Sequence, residues 1–282
     1  MKEYSVCYSL DLNYLEQLSC SIASMLSNAR ADESIKFYIL CSDLNYEAQK
    51  QIETLRKIKQ FEIEYIKVNN SDFSELPMLK EKGGNYAAYH VTKPTYYRFK
   101  LPDLLKNLNK VLYLDCDAII KGNLEPLFML DLKDYSAAAV IDADFEKEAE
   151  RLGLSRYFNA GVMLINLEYW RENNISSKLF DFARLNKEKI IWQDQDILNS
   201  VLKNTIFEMP EIWNYQYFQY ETPSPEAAAK SVILHLAGRF KPWIIPFESE
   251  IYDLYYEYLK LTPFKNKILQ YRLNSSCRRL KN

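Results

Sequence analysis

The sequence predicts an α/β domain built on a parallel sheet, and three features carry that reading. From Tyr4 to Val68, apolar runs short enough for strands alternate with stretches of helical periodicity. Val111-Leu112-Tyr113-Leu114 is apolar without alternation, as in a strand buried on both faces, and runs straight into Asp115-Cys116-Asp117. Ala137 to Ile141 repeats the pattern and ends in Asp142. Strand–helix–strand order implies right-handed crossovers. The acids then fall at carboxyl ends of strands, where open α/β sheets bind ligands.

In order, Tyr4 to Ser9 reads as a first strand, closing on Asp11-Leu12-Asn13-Tyr14. Leu15 to Leu26 is a helix, with Leu15, Leu18, Ile22, Met25 and Leu26 on one face. Ile35 to Cys41 is a strand, Asn45 to Lys59 a helix with Ile52, Leu55 and Ile58 inward, and Phe61 to Val68 a third strand. Asn69 to Val91 is irregular, contains Gly83-Gly84, and is longer than an ordinary connection. Thr92 to Leu105 is expected to be helical, with Pro94 in its first turn and Arg98 along it. After the Asp115 strand and Ala137–Ile141, a further strand opens at Phe158-Asn159-Ala160-Gly161-Val162 and runs through Ile165. Glu168 to Asn186 and Asp194 to Leu202 are expected as helices, and Ser231 to His235 as a late strand.

Composition narrows the function classes. The 282 residues are ample for a sizeable core, and the net charge of −2 gives no general case for nucleic acid. There are 6 glycines and no GxGxxG or GxxxxGK[ST] pattern, which argues against phosphate loops of the usual kinds. Cys7, Cys20, Cys41, Cys116 and Cys277 are odd in number and form no CxxC, as in reduced, structural thiols of a cytosolic protein. The start lacks a signal-peptide pattern, and no run of 18 apolar residues is present. From Pro263 the composition shifts. Residues 263–282 hold six basic residues and no acid, leaving −8 on residues 1–262. The division expected is a catalytic domain, 1–262, and a basic, aromatic tail, 263–282. Phe264, Ile268, Leu269 and Tyr271 interleave with the charges, which suits an anionic membrane surface.

The chain's 15 Asp residues make Asp-x-Asp common by chance, and three such pairs occur: Asp115/Asp117, Asp142/Asp144 and Asp194/Asp196. The first gains weight from His235, one of only two histidines, which also ends an expected strand. Two carboxylates and one imidazole suit Mn²⁺, and less particularly Mg²⁺, with positions left for substrate oxygens. Gly238 permits close backbone approach, and Lys241 supplies a point charge for a diphosphate. Asp11 and Tyr14 suit gripping a base as well as they suit capping and packing. Asn159 and Gly161 read equally as a tight turn. Asp194-Gln195-Asp196 reads as a helix start, although the Gln is harder to explain by capping.

Taken together these stretches resemble glycosyltransferase family 8, which includes bacterial lipooligosaccharide α-galactosyl- and α-glucosyltransferases and, more remotely, glycogenin. The resemblance runs from about Tyr4 to Trp243. It rests on Asp11-x-Asn13-Tyr14, Thr95-Tyr96-Tyr97-Arg98-Phe99-Lys100-Leu101, Val111 to Asp117, Phe158 to Val162, Gln193 to Asn199, and His235-x-x-Gly238-x-x-Lys241-Pro242-Trp243. It implies a GT-A fold: one nucleotide-binding α/β domain with a mixed, mainly parallel central sheet flanked by helices. It implies a UDP-hexose donor, UDP-galactose or UDP-glucose, a saccharide or glycolipid acceptor, and net retention. Mn²⁺ would be held by Asp115, Asp117 and His235, with Mg²⁺ as the substitute. Asp11, Asn13 and Tyr14 would meet the uracil, and Gly238 and Lys241 the diphosphate. Arg98, Asp142, Asn159, Asp194 and Gln195 would line the sugar, with Gln195 and Asp194 at the reacting face. Because an amide is a poor nucleophile, front-face attack is favoured, with a covalent intermediate on Asp194 as the alternative. Cys116 departs from an ordinary metal pair; on a strand it points away from its neighbours and is expected to pack. Asn69 to Val91, where acceptor choice is expected to lie, carries no readable signature. The implied place of work is the cytosol, with the tail at the inner face of the cell membrane. Rival readings are a haloacid-dehalogenase-like phosphatase, a non-catalytic nucleotide-sugar-binding module, and a glycogenin-like self- or protein-glucosylating enzyme. The phosphatase would need its acids after the first strand rather than the fourth.

Overall fold

The computed structural model describes residues 2–78, 92–142, 145–217, 224–238, 241–244 and 250–272. Most of Asn69–Val91, including Gly83-Gly84, lies outside the described residues, as do Asp144 and the tail beyond Arg272. Ten strands form two sheets among the described residues: β1 Lys2–Leu10, β2 Glu33–Cys41, β3 Glu62–Lys67, β4 Lys110–Leu114, β5 Ala118–Ile120, β6 Ala137–Ile141, β7 Phe158–Asn166, β8 Ile206–Glu208, β9 Tyr215–Gln216 and β10 Ile233–His235. The larger sheet has the order β3-β2-β1-β4-β7-β6-β8. It is mixed and mainly parallel, with β7 antiparallel to both neighbours.

Alternation of side chains builds two cores on its faces. Val6, Tyr8, Leu112 and Leu114 join one cluster with the Leu15–Asn28 helix. Cys7, Val111 and Tyr113 join the other, with Trp170 and Leu179. The continuous apolar run of β4 is thus explained, since both of its faces are covered. The chain winds from β1 outward through β2 to β3, then returns to β4 on the other side of β1. This reversal opens a crevice at the carboxyl ends of β1 and β4. Asp11 follows one and Asp115 the other. Since β7 runs the opposite way, its first residues, Phe158 to Gly161, reach the same end of the sheet.

Three helix expectations are corrected. Asn45 does cap its helix, accepting from Ala48 N at 2.9 Å, but the α-helix covers Tyr46–Glu53 and tightens to a 3-10 turn over Thr54–Lys57. Thr92–Leu105 is a 3-10 helix over Lys93–Lys100 and a short α-helix over Leu101–Leu104. Pro94 and Pro102 each remove a backbone donor there. Glu168–Asn186 divides into Leu167–Glu172 and Ile175–Leu185, because Asn174 takes a left-handed conformation (φ 51°) that Asn tolerates better than most residues.

Of the smaller sheet, β5-β10-β9, the expected late strand is present as β10, within Ser231 to His235, while β5 and β9, three and two residues long, lacked a readable pattern. The Glu250–Leu259 helix packs beside it, burying Tyr252, Tyr255 and Tyr256. Phe264, Ile268 and Tyr271 dock on the same cluster. The buried Glu16 carboxylate receives Tyr255 Oη at 2.9 Å, Tyr271 Oη at 2.7 Å and Lys267 Nζ at 2.8 Å. Through Arg272 the basic stretch therefore lies against the domain, with Leu269 left exposed. No described helix is long and apolar enough to cross a membrane.

Candidate active site

The antiparallel register of β10 on β5 sets His235 opposite Ala118, one residue past Asp117. The β4–β7 ladder continues one step beyond the strand, where Asp115 N donates to Gly161 O at 2.8 Å. Two separate pairings thus bring Asp115, Asp117 and His235 together, with one ligand atom from each inside a 4.8 Å span. In each residue the other polar atom is pinned elsewhere. Arg98 Nη2 donates to Asp115 Oδ1 at 3.0 Å, and Lys241 Nζ donates to Asp117 Oδ2. His235 Nδ1 lies 3.0 Å from Asn214 Oδ1, and Asn214 Nδ2 donates to Asn159 Oδ1 at 2.9 Å. That chain of donors places the ring proton on Nδ1 and leaves a lone pair on Nε2.

The free atoms are Asp115 Oδ2, Asp117 Oδ1 and His235 Nε2. Asp117 Oδ1 is a buried acceptor without a hydrogen bond, although Nε2 stands 3.2 Å away. Two ligand atoms close to contact with no proton between them suit a shared cation. Gly161 leaves the room: a Cβ there would stand 2.8 Å from Asp115 Oδ2 and 3.0 Å from His235 Nε2. The residues fit a divalent ion of the Mn²⁺ or Mg²⁺ kind. Burial would raise the Asp117 carboxyl, but the Lys241 ammonium outweighs it and holds it well below the usual carboxylate range. Asn214→Ala removes the hold on Nδ1 without touching a ligand atom. It is expected to weaken Mn²⁺ binding by about 10–100-fold, read by calorimetry.

Arg98 occupies the centre of the second group. In a 3-10 helix residues three apart line up, so Thr95 and Arg98 face the same way. Thr95 Oγ1 donates to Asp194 Oδ1, and Arg98 Nε lies 3.2 Å from Asp194 Oδ2. The guanidinium carbon lies 3.9 Å from the Tyr113 ring centroid, and Nη1 donates to Ala160 O. Burial, with help from Asp115, pushes the Asp194 carboxyl up to about 6 against the opposing pull of Arg98 and Thr95.

A third group surrounds Asp142, which is buried at the end of β6. Asn159 Nδ2 donates to Asp142 Oδ2 at 3.2 Å, and Gln195 Nε2 lies 3.5 Å from the same oxygen. Gln195 Oε1 accepts from Ala160 N at 3.0 Å, which fixes the amide across the β7 backbone. At the opposite end Asp11 caps the Leu12–Tyr14 turn and accepts from Thr92 Oγ1 at 2.8 Å. Asp11, Tyr14, Gly238 (φ 81°) and Lys241 line the same cleft of about 410 Å³ as the other groups.

Of the residues assigned to donor, metal or catalysis, Asn13 alone is not brought to the cleft wall; it is exposed and gives its backbone N–H to Asp11. Cys116 packs in the core, as expected of it. Sequence reasoning missed Asn214, Thr95 as a partner of Asp194, and the aromatic wall of Phe145 and Trp192. Thr95 stood inside a quoted stretch, three residues before Arg98. Asn214 had no signal at all, being in a loop 21 residues from the histidine it orients.

Comparisons with known proteins point to one family. The model of glycosyl transferase family 8 matches residues 5–244. General stress protein A of Bacillus subtilis is 28% identical, over 89% of this chain and 91% of its own. A lipopolysaccharide 1,2-glucosyltransferase of Escherichia coli is 30% identical over 93% of this chain and 80% of its own. A lipopolysaccharide 1,3-galactosyltransferase of Salmonella typhimurium is 30% identical over 86% and 73%. Among solved structures, the galactosyltransferase LgtC with donor and acceptor sugar analogs superposes with a TM-score of 0.78 at 27% identity, covering 92% of this chain and 96% of that one.

Proposed function

The chain belongs to glycosyltransferase family 8 and has the GT-A fold, and on that premise we propose that it is a retaining, metal-dependent enzyme moving a hexose from UDP-galactose or UDP-glucose to a saccharide of a cell-surface glycan or glycolipid. The observation that carries this reading is the convergence of Asp115 Oδ2, Asp117 Oδ1 and His235 Nε2, with Lys241 behind them, in one cleft with Asp142, Asp194 and Gln195.

Each group has a matching task. Tyr14 supplies a face for a base, and Asp11 keeps lone pairs beyond those it gives to Thr92 and Asn13. A divalent ion in the acid–histidine set would act as a Lewis acid toward the departing UDP. Lys241 adds a fixed positive charge on the same side. Arg98 donates and Asp194 accepts, a pairing suited to sugar hydroxyls. Trp192 Nε1 and Gln193 Nε2 are buried donors without a partner on the cleft wall, which also suits a hydroxylated ligand. Gln195, held by Ala160 N, presents an amide rather than a carboxylate toward the reacting sugar. That supports front-face attack by the acceptor hydroxyl, its proton passing to a phosphate oxygen of the leaving UDP. Trapping an adduct on Asp194 would overturn this preference.

The test is UDP release from UDP-glucose, UDP-galactose and UDP-N-acetyl sugars, with and without saccharide acceptors, in Mn²⁺ and in EDTA. Metal-dependent release from a hexose donor is expected; full activity in EDTA sinks the metal-dependent reading. A pH profile checks Asp194. Its carboxyl titrates at about 6, so it is ionised above that pH and able to accept from sugar hydroxyls. kcat/KM should rise through an acid limb near there and then level, and Asp194→Asn should lack the limb. The stability term runs the other way. With the folded value above the unfolded one of about 3.9, the contribution is present at low pH and is lost as pH rises toward 6.

Membrane approach is proposed for residues 273–282, which carry Arg278, Arg279 and Lys281. A chain ending at Arg272 retains the Glu16 contacts, so its soluble-acceptor activity should be unchanged while salt-dependent binding to anionic vesicles falls. Equal vesicle binding by the shortened chain refutes the proposal.

A further inference from the structure

Both carboxylates of the Asp115–Asp117 pair already have a cation of their own. Arg98 Nη2 holds Asp115 Oδ1 at 3.0 Å, and Lys241 Nζ holds Asp117 Oδ2. Both cations are buried, at 2% and 5% exposure, so neither is replaced by water at little cost. Neither is free to swing out. Arg98 is also tied to Asp194 Oδ2, Thr95 O and Ala160 O, and Lys241 Nζ also donates to Leu236 O at 3.0 Å. A carboxylate that shares one oxygen with a buried ammonium or guanidinium is a weaker partner for a second cation, because the two positive charges sit a few ångströms apart in a medium that screens poorly.

Charge arithmetic makes the consequence specific. Asp115, Asp117 and Asp194 with Arg98 and Lys241 sum to −1, and a divalent ion takes the group to +1. The two charges of a nucleotide-sugar diphosphate return it to −1. With protein alone the ion therefore leaves a net positive charge on the group, and the diphosphate reverses its sign.

We infer that Lys241 and Arg98 act as resident counter-cations that make the Asp115–Asp117–His235 set a site for a metal–diphosphate pair rather than for a free metal ion. The inference rests on the metal-dependent reading above and goes beyond it: it assigns these two residues to the order and coupling of binding. Lys241 thereby has two opposed effects. It weakens capture of the bare ion and strengthens capture of the diphosphate, so the two ligands bind cooperatively and reciprocally.

The experiment is a titration of the full chain with Mn²⁺, followed by the electron paramagnetic resonance of the free ion, with and without saturating UDP. It compares the wild type with Lys241→Met and, as a second variant of different polarity, Lys241→Gln; circular dichroism establishes that each is folded. The wild type is expected to bind Mn²⁺ alone weakly and at least about tenfold more tightly with UDP. The Lys241 variants should bind Mn²⁺ alone about tenfold more tightly than the wild type, with the gain from UDP much reduced. Folded variants whose affinity for Mn²⁺ alone is unchanged or weaker, or whose UDP gain equals that of the wild type, overturn the inference while leaving metal dependence intact. A wild type that holds no Mn²⁺ even with UDP overturns the metal-dependent reading and this inference with it.

Discussion

Replacing Gly161 by alanine is expected to abolish metal binding and reduce transfer by at least about a hundredfold, the scale of a 1 Å misplacement in a positioned site. The added Cβ would lie 2.3 Å from His235 Cε1 and 2.8 Å from Asp115 Oδ2. Neither neighbour can yield cheaply. His235 lies on β10, and its ring is held through Nδ1 by Asn214. Asp115 is held through Oδ1 by the buried Arg98. The methyl group would enter the space shared by the three ligand atoms, so the ligands must spread or the β7 backbone must withdraw. Withdrawal would strain the bond from Asp115 N to Gly161 O. Overpacking of this kind costs about 1–3 kcal/mol, so the melting temperature should fall as well. Gly122→Ala is the control, since its Cβ would come no closer than 3.4 Å to a neighbour, Val232 Cγ1. A Gly161→Ala protein that binds Mn²⁺ and transfers sugar as the wild type does would show that the metal set is misassigned.

The same glycine shows where the sequence was informative and where it stopped. Phe158 to Val162 read as a strand opening, and the strand is there. What the pattern did not reveal was its direction. β7 is antiparallel in an otherwise parallel neighbourhood, and only that reversal brings Asn159 and Gly161 to the end of the sheet where Asp115 emerges. The central order was legible because buried strands need long apolar runs and crossovers need amphipathic helices. Asp11, Asp115 and Asp142 were legible for the same reason: an acid ending a buried strand is conspicuous.

Of the smaller sheet only β10 was legible, because β5 and β9, three and two residues long, carry too few side chains for periodicity. Its consequence was visible in part, since His235 ended that expected strand and Lys241 stood out by chemical type. Asn214 is the opposite case, an ordinary residue whose role exists only through distance in space. The 3-10 winding of Lys93–Lys100 was likewise hidden, because the prolines that favour it also suit an α-helical first turn. That winding is what aligns Thr95 with Arg98 on Asp194.

Asp115→Asn separates chemistry from folding, and its expected effect is the larger of the two. The side chain is about a third exposed (36%), and the substitution keeps its shape. Arg98 retains Asp194, Thr95 O and Ala160 O, so no buried charge is left alone. Stability should therefore change by less than about 1 kcal/mol. The metal site fares otherwise. It loses one of two anionic ligands, and the amide rotamer that leaves its oxygen toward the site sets an NH₂ against Arg98, donor to donor. The rotamer that satisfies Arg98 instead presents NH₂ to the cation. The first orientation keeps only a neutral oxygen ligand at the cost of that clash, and the second leaves an ion held by Asp117 and His235 alone, with Lys241 already on Asp117. A Lewis acid contributes several kcal/mol to neutralising a leaving diphosphate, so transfer should fall about a thousandfold at a fixed Mn²⁺ concentration. Raising Mn²⁺ should recover part of the rate, which removal of a purely structural carboxylate would not show. Arg98→Met provides the contrast, because it strands Asp194 in a buried position and should lower the melting temperature together with activity. If Asp115→Asn instead unfolds the protein, or retains its rate at low Mn²⁺, the carboxylate is structural and the cation is held elsewhere.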